Sequence, residues 1–196
     1  MNIDYNLLNE SVKYFQNKGF KQIEVPWIVN SNTTKITTDI SSVIINYNNE
    51  ITNVNNNLIG SAEQGFLQLI IENKLPFGKY QSISPCFRTE HDGYDNNHFP
   101  YFIKNELLIY TDNKYIFTEL SYLISDVVNL YNRYLQNVKR KETFGYNSKL
   151  QIDLMYNDIE LGSYGIREIN NEKYIYGTGL ALPRFSQALK IFKDNL

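Results

Sequence analysis

The chain has 196 residues, of which 42% are hydrophobic and 20% charged, the balance of one globular domain with a sizeable core and not of a disordered chain. Its formal charge of −2 lacks the basic excess of a domain built to hold a polyanion, which disfavours extensive nucleic-acid binding by this chain alone. A single cysteine, Cys86, excludes an intramolecular disulfide. With only His91 and His98 beside it, a buried thiol is favoured over a four-ligand zinc site. Met1-Asn2-Ile3-Asp4 shows no basic stretch followed by an apolar one, and no apolar run nears the ~18 residues of a membrane span. The expectation is a soluble, cytoplasmic protein with no membrane partner.

In chain order, Leu7, Leu8, Val12 and Phe15 recur at helical spacing, with Asp4 placed to cap the helix and Gly19 to stop it. Phe20 to Val25 alternates as a strand and ends at Pro26. Thr34 to Ile45 reads as strand or loop, and the Asn-rich stretch from Tyr47 to Asn57 as a hairpin tip or mobile loop. Ser61 to Asn73 has a helical pattern. Tyr80 to Phe87 and Phe102 to Tyr110 are expected as strands joined by the polar loop around His91 to Asn97, which makes a hairpin.

Tyr115 to Asn137 is the longest amphipathic stretch, with Thr111 or Asp112 as its cap. Lys139-Arg140-Lys141 then reads as a solvated helix end. Leu150 to Met155, Asp158 to Leu161 and Lys173 to Tyr176 are expected strands, and Pro183 opens a last helix through Lys193. Helices with hairpin-connected strands predict an α+β fold, a single domain with an antiparallel sheet flanked by helices. No GxGxxG and no GxxxxGK[ST] is present, so a Rossmann or P-loop site is unsupported.

Three constellations carry chemistry. The first is Cys86-Phe87-Arg88-Thr89-Glu90, then His98-Phe99-Pro100-Tyr101-Phe102 and Glu106. An arginine at a strand end can grip a phosphate, and an aromatic on the returning strand can stack on a base. Read alone, it is better explained by a surface salt bridge on a hairpin and a core phenylalanine. The second is Gly177-Thr178-Gly179-Leu180-Ala181-Leu182-Pro183-Arg184. Glycines allow close backbone approach, and Arg184 can stack on adenine or neutralise a phosphate. Its plainer explanation is a glycine-rich turn between strand and helix. The third pairs Asp153 with Glu160, two carboxylates that could hold Mg²⁺ against a triphosphate, followed by Gly162-Ser163-Tyr164-Gly165-Ile166-Arg167.

Taken together and in this order, the segments resemble the catalytic core of a class II aminoacyl-tRNA synthetase. The first helix with Phe20 to Pro26 is similar to that family's first motif, used in dimerisation. Phe87-Arg88-Thr89-Glu90 with His98, Pro100, Phe102 and Glu106 is similar to the second motif, and Gly177-x-Gly179 to Arg184 to the third. The likeness runs from about residue 10 to the C-terminus. The Asp153, Glu160 and Arg167 spacing looks most like the aspartyl/asparaginyl/lysyl branch. Ile83-Ser84-Pro85-Cys86-Phe87-Arg88 and Gly177 to Arg184 look seryl-like, and Tyr164 interrupts the small-residue run usual before the specificity arginine.

The resemblance implies a class II synthetase-like domain over 1–196 with no anticodon-binding domain. It implies roles as well. Arg88 would bind the α-phosphate of ATP, and Glu90 the adenine edge or the amino-acid ammonium side. Phe102 and Arg184 would sandwich the adenine, His98 would touch the γ-phosphate, and Gly177 and Gly179 would line the nucleotide. Asp153 and Glu160 would hold Mg²⁺. Ser61, Glu63 and Gln64 resemble the loop that holds the substrate ammonium, and Arg167 matches the arginine that reads the side chain in aspartyl and asparaginyl enzymes.

The implied reaction joins a small amino acid to ATP, giving an aminoacyl-adenylate and pyrophosphate, with Arg88 and Arg184 as the catalytic cations. The implied assembly is a homodimer through Phe20 to Trp27. Three readings of the whole follow. One is a minimal synthetase, with tRNA open as a partner but unsupported by charge. Another is an asparagine-synthetase-like ligase with a non-tRNA acceptor. The last is a non-catalytic regulatory paralogue, which the retention of both ATP arginines argues against.

Overall fold

A computed structural model describes residues 3–38, 44–45, 56–88, 99–112, 114–145 and 149–194. The chain begins with α1 (Tyr5–Gln16), where the Asp4 carboxylate accepts hydrogen bonds from the amides of Asn6 and Leu7, a side-chain cap on two otherwise orphaned donors. Gly19 supplies the left-handed turn after it, at φ +86°. There follow β1 (Lys21–Gln22), β2 (Ile28–Asn30), the one-turn α2 (Ser31–Thr34), β3 (Ile44–Ile45), β4 (Asn56–Leu58) and α3 (Ala62–Ile71). The second half holds β5 (Gly78–Phe87), β6 (Tyr101–Tyr110), α4 (Ile116–Tyr131), β7 (Lys139–Phe144), β8 (Leu150–Tyr156), β9 (Ile159–Ile169), β10 (Glu172–Leu182) and α5 (Arg184–Asp194).

The main sheet has seven strands in the order β1-β5-β6-β10-β9-β8-β7, and β2-β4-β3 form a small second sheet. All pairings in the main sheet are antiparallel except β1 with β5. Strand alternation divides the apolar residues between two layers. Leu107, Ile109 and Ile175 pack with α1, α4 and α5, around Phe15, Leu123, Val127 and Phe185. Leu108, Tyr174 and Tyr80 point to the other face and pack under α3 through Ala62, Phe66, Leu67 and Ile70. Helix α3 covers only part of that face, and the remainder is a cleft.

The α+β expectation is met, with local corrections. The strand expected over Phe20 to Val25 reduces to Lys21–Gln22, because Phe20 and Val25 are buried as core side chains on either side of it. Thr34 to Ile45 contributes the end of α2 and, at Ile44–Ile45, β3. Of the Asn-rich stretch, Asn56 and Asn57 belong to β4, and the residues before them lie outside the described ones, as does the His91 to Asn97 loop.

Helix α4 starts at Ile116 without a side-chain cap, so neither Thr111 nor Asp112 has that role. It ends at Tyr131, and Lys139-Arg140-Lys141 lies in β7, the outermost strand, instead of a helix end. Long charged side chains on an open edge keep other strands from pairing there. The glycine-rich segment Gly177 to Leu182 is not a turn but the second half of β10, hydrogen-bonded to β6 with one bulge between Thr178 and Leu180.

Candidate active-site cleft

Two hollows adjoin on the α3 face of the sheet. The first has a volume of about 200 Å³ and is lined among others by Ser61, Glu63, Gln64, Gln151, Arg167 and Tyr176. The second, about 170 Å³, is lined among others by Phe99, Phe102, Gly162, Pro183 and Arg184. Arg88, Lys104, Glu160 and Thr178 line both, so they mark the junction of one continuous trough.

The first end is built by α3. Ser61 caps the helix by accepting from the Glu63 amide, and the Ser61 hydroxyl in turn donates to Glu106 at 2.7 Å. The Ala62 amide donates to the other oxygen of Glu106, so β6 holds a carboxylate against the positive end of α3. Gln64 accepts from the Gly60 amide and donates to Thr37.

Glu63, one residue into the helix, turns under it into the sheet. Nη1 of Arg167 donates to both of its oxygens, at 2.7 and 2.6 Å, and the Tyr174 hydroxyl donates at 2.8 Å. The Arg167 guanidinium lies 4.1 Å from the centre of the Tyr176 ring. Burial pushes the Glu63 carboxyl upward, against the pull of Arg167 and Tyr174. Burial would lower Arg167, but the facing Glu63 carboxylate more than reverses it and keeps the guanidinium protonated.

The second end is built by the β5–β6 hairpin and the start of α5. The Arg88 amide donates to the Pro100 carbonyl, which closes the two strands beside the cleft. Successive inward positions of β6 carry Phe102, Lys104 and Glu106. The Phe102 ring has the Arg88 guanidinium 5.5 Å and the Lys104 ammonium 5.3 Å from its centre. Arg184, the first residue of α5, donates to Glu160 across the hollow at 3.2 Å, and Ser163 donates to the same carboxylate oxygen.

The structure thus gathers Ser61, Glu63, Gln64 and Arg167 at one end and Phe102 and Arg184 at the other, with Arg88 between them. Glu90 and His98 lie outside the described residues. Other assignments need revision. Asp153 does not join Glu160 in the cleft lining: its two oxygens are taken by Thr143 and Gln151, both at 2.9 Å, and it lines neither hollow. The register shift at Leu161 of β9 sets Asp153 opposite Ser163 and Met155 opposite Glu160, so both carboxylates are on the same face of the sheet, with Asp153 behind the lining. Among the described residues no group of three or more His, Cys, Asp or Glu could hold a metal ion.

The two glycines are also explained differently. A Cβ on Gly177 would lie 2.6 Å from the Tyr164 ring, and one on Gly179 would lie 3.0 Å from Phe15. Both absent side chains are on the helix-layer face, so packing of the two aromatics demands glycine there. Gly177 still contributes backbone to the first hollow, and Gly179 lines neither.

Lys104 is the residue that motif reading passes over. Its ammonium, 3.5 Å from Glu106 and with a side chain 17% exposed, sits at the junction. The signal available was alternation: two residues after Phe102 on an inward-facing strand is the same face. Tyr174 and Tyr176, on the cleft face of β10, were legible by the same rule. Cys86 is the buried thiol expected, lying 3.9 Å from Glu106. Burial, with the nearby Glu106 charge, pushes it up to about 12.

Comparisons with known proteins agree with this architecture. The structure is similar to a Desulfitobacterium hafniense pyrrolysyl tRNA synthetase, with a TM-score of 0.72 and 16% identity over 95% of this chain and 68% of that one. It is similar to seryl-tRNA synthetase from Pyrococcus horikoshii complexed with ATP (TM-score 0.72, 18% identity, 95% and 49% of the two chains). It is also similar to Giardia lamblia prolyl-tRNA synthetase in complex with prolyl-adenylate (0.74, 9%, 93% and 44%). At such identities the likeness is one of fold, and the chain spans under half the length of the seryl and prolyl proteins. No curated protein matches the sequence. A family model, tRNA synthetases class II (D, K and N), matches residues 1–147. With that match over most of its length and a class II core as its fold, the chain belongs to the class II tRNA synthetases of the D, K and N group.

Proposed function

We propose that the chain activates an amino acid with ATP. The carrying observation is the trough itself: two dissimilar hollows meet at Arg88 and Lys104. An amino-acid carboxylate and the α-phosphate of ATP are both anions, and their approach needs cations at the meeting point. In the proposed reaction a carboxylate oxygen forms a bond to the α-phosphorus, and the bond from that phosphorus to the β-phosphate bridging oxygen breaks. The products are an aminoacyl-adenylate and pyrophosphate, with no protein nucleophile. Catalysis is then positioning and charge neutralisation.

In this reading Arg88 grips the α-phosphate and, with Lys104, offsets the charge that builds up there. Phe102 and Arg184 receive the two faces of the adenine in the second hollow. Ser61, Glu63 and Gln64 form the wall for the ammonium group in the first. Glu90 and His98 are assigned to the adenine edge or ammonium side and to the γ-phosphate, from the motif they match. Glu160, which lines both hollows, offers a carboxylate oxygen to a magnesium ion accompanying the phosphates, and no step is routed through the ion.

We further propose a cytoplasmic homodimer. Trp27 is 53% and Ile28 41% exposed beside a shallow apolar depression that includes Val25, Pro26 and Ile83, which supports the Trp27 end of the expected Phe20 to Trp27 interface. Phe20 itself is buried within the chain against Phe15. No helix among the described residues is long and apolar enough to cross a membrane.

The test is ATP–pyrophosphate exchange with each standard amino acid. Exchange with at least one, lost in Arg88→Ala, is expected. No exchange with any overturns the reading and leaves the regulatory paralogue. A gel shift with bulk tRNA at two salt concentrations separates a tRNA acceptor from a small-molecule or carrier-protein acceptor.

A further inference from the structure

Among the described residues the amino-acid end of the trough contains one cation away from the junction, Arg167, and its charge is already matched. Glu63 and Arg167 have side chains 8% and 12% exposed and are joined by two short hydrogen bonds from one nitrogen, with Tyr174 completing the set on Glu63. The guanidinium face is covered by Tyr176. The rest of this end, among the described residues, offers neutral polar groups, Thr37, Gln64, Gln151 and Ser163, and one further carboxylate, Glu106, held by Ser61 and the Ala62 amide.

A second carboxylate brought to this guanidinium would stand beside that of Glu63 in a poorly hydrated site, and like charges there are strongly disfavoured. The guanidinium nitrogens not engaged by Glu63 can still donate to a neutral acceptor such as a hydroxyl or amide oxygen. We infer that Arg167 is a positioning residue that holds Glu63 against the amino-acid ammonium, not a reader of an acidic side chain, and that the cleft therefore selects a small neutral polar amino acid over aspartate. This rests on the adenylate-forming reading above. It departs from the role that the D, K and N pattern implies for this arginine.

The test uses non-hydrolysable adenylate mimics, the seryl, asparaginyl and aspartyl sulfamoyl-adenosines, titrated calorimetrically into the full chain, with ATP as a reference ligand. The wild-type protein is expected to bind the better neutral mimic at least about tenfold more tightly than the aspartyl one, the cost of like-charge juxtaposition. Arg167→Gln should weaken all three by a common factor, leaving their ranking and the affinity for ATP unchanged. A residue that merely stabilised the fold would weaken ATP alike.

Where R167Q fails to fold, Arg167→Lys, which keeps a cation beside Glu63, makes the same comparison. An aspartyl mimic that binds tightest, or an arginine variant that loses the aspartyl mimic selectively, overturns the inference while the adenylate reading stands. Wild-type protein that binds ATP and none of the mimics overturns the inference while the adenylate reading stands, and protein that binds neither overturns both.

Discussion

The two ends of the cleft use the same kinds of residue in opposite ways. At the α3 end, Glu63 and Arg167 are sunk between helix and sheet, and each has its charge satisfied inside the protein. At the α5 end, Glu160 and Arg184 also make an ion pair, but their side chains are 42% and 31% exposed and the contact is 3.2 Å. A buried pair is held in place by the cost of separating it, and a half-exposed pair costs little to open. The comparison assigns rigidity to the α3 end and exchangeable contacts to the α5 end, where a ligand can replace Glu160 as the partner of Arg184.

Breaking the buried pair should have the largest effect. Glu63→Ala leaves the Arg167 guanidinium and the Tyr174 hydroxyl without their acceptor, and a loss of about 3–5 kcal/mol in denaturant unfolding is expected. Stability within about 1 kcal/mol of wild type would show that the pair is not a buried one. Next comes Arg88→Ala at the junction, which should lower ATP–pyrophosphate exchange by about 10²–10³, the loss of one transition-state donor, with little change in unfolding.

Asp153 sharpens the comparison further, because it is buried like Glu63 yet outside the trough. Asp153→Asn should cost about 1–2 kcal/mol through its contacts with Thr143 and Gln151 and leave exchange within a few fold. A hundred-fold drop in exchange would return it to the site. Smallest is the outer pair: a double-mutant cycle of Glu160→Gln and Arg184→Gln on stability should give a coupling of about 1 kcal/mol or less.

A pH effect runs through the buried end as well. Burial raises Tyr174 and Tyr176, and raises Cys86 from an ordinary value of 9.0 to about 12. Above their ordinary values these groups ionise in the unfolded chain before they do in the native one. The native state then binds more protons, and stability falls as pH rises. The contribution from Cys86 is complete below pH 9.0 and is lost as pH climbs toward about 12. Denaturant midpoints measured across that interval should decline, and less steeply in Cys86→Ala.

How much of this was legible in the sequence follows from the range of the interactions concerned. Asp4 as a cap, a helix within Ser61 to Asn73, and the alternation of β5 and β6 are local patterns, and each appears where the spacing predicts it. The boundaries of β10 were not legible, because its glycines look like a turn. What keeps them in a strand is the sheet on both sides and the aromatics Tyr164 and Phe15, distant in sequence, that fill the space they leave.

The carboxylates show the same limit at the site. Asp153 and Glu160 stand seven positions apart, a spacing that suggests a pair, but it does not show that Thr143 and Gln151 already hold both oxygens of Asp153. The contact between Glu63 and Arg167 spans 104 positions, and no motif encodes that the two satisfy one another. Types and order of site residues were readable; which were already partnered was not.

The most direct measurement is ATP–pyrophosphate exchange by the wild-type protein, one amino acid at a time. The account predicts exchange with a small neutral polar amino acid and none above background with aspartate. Exchange with no amino acid at all, from protein that is folded, would contradict it.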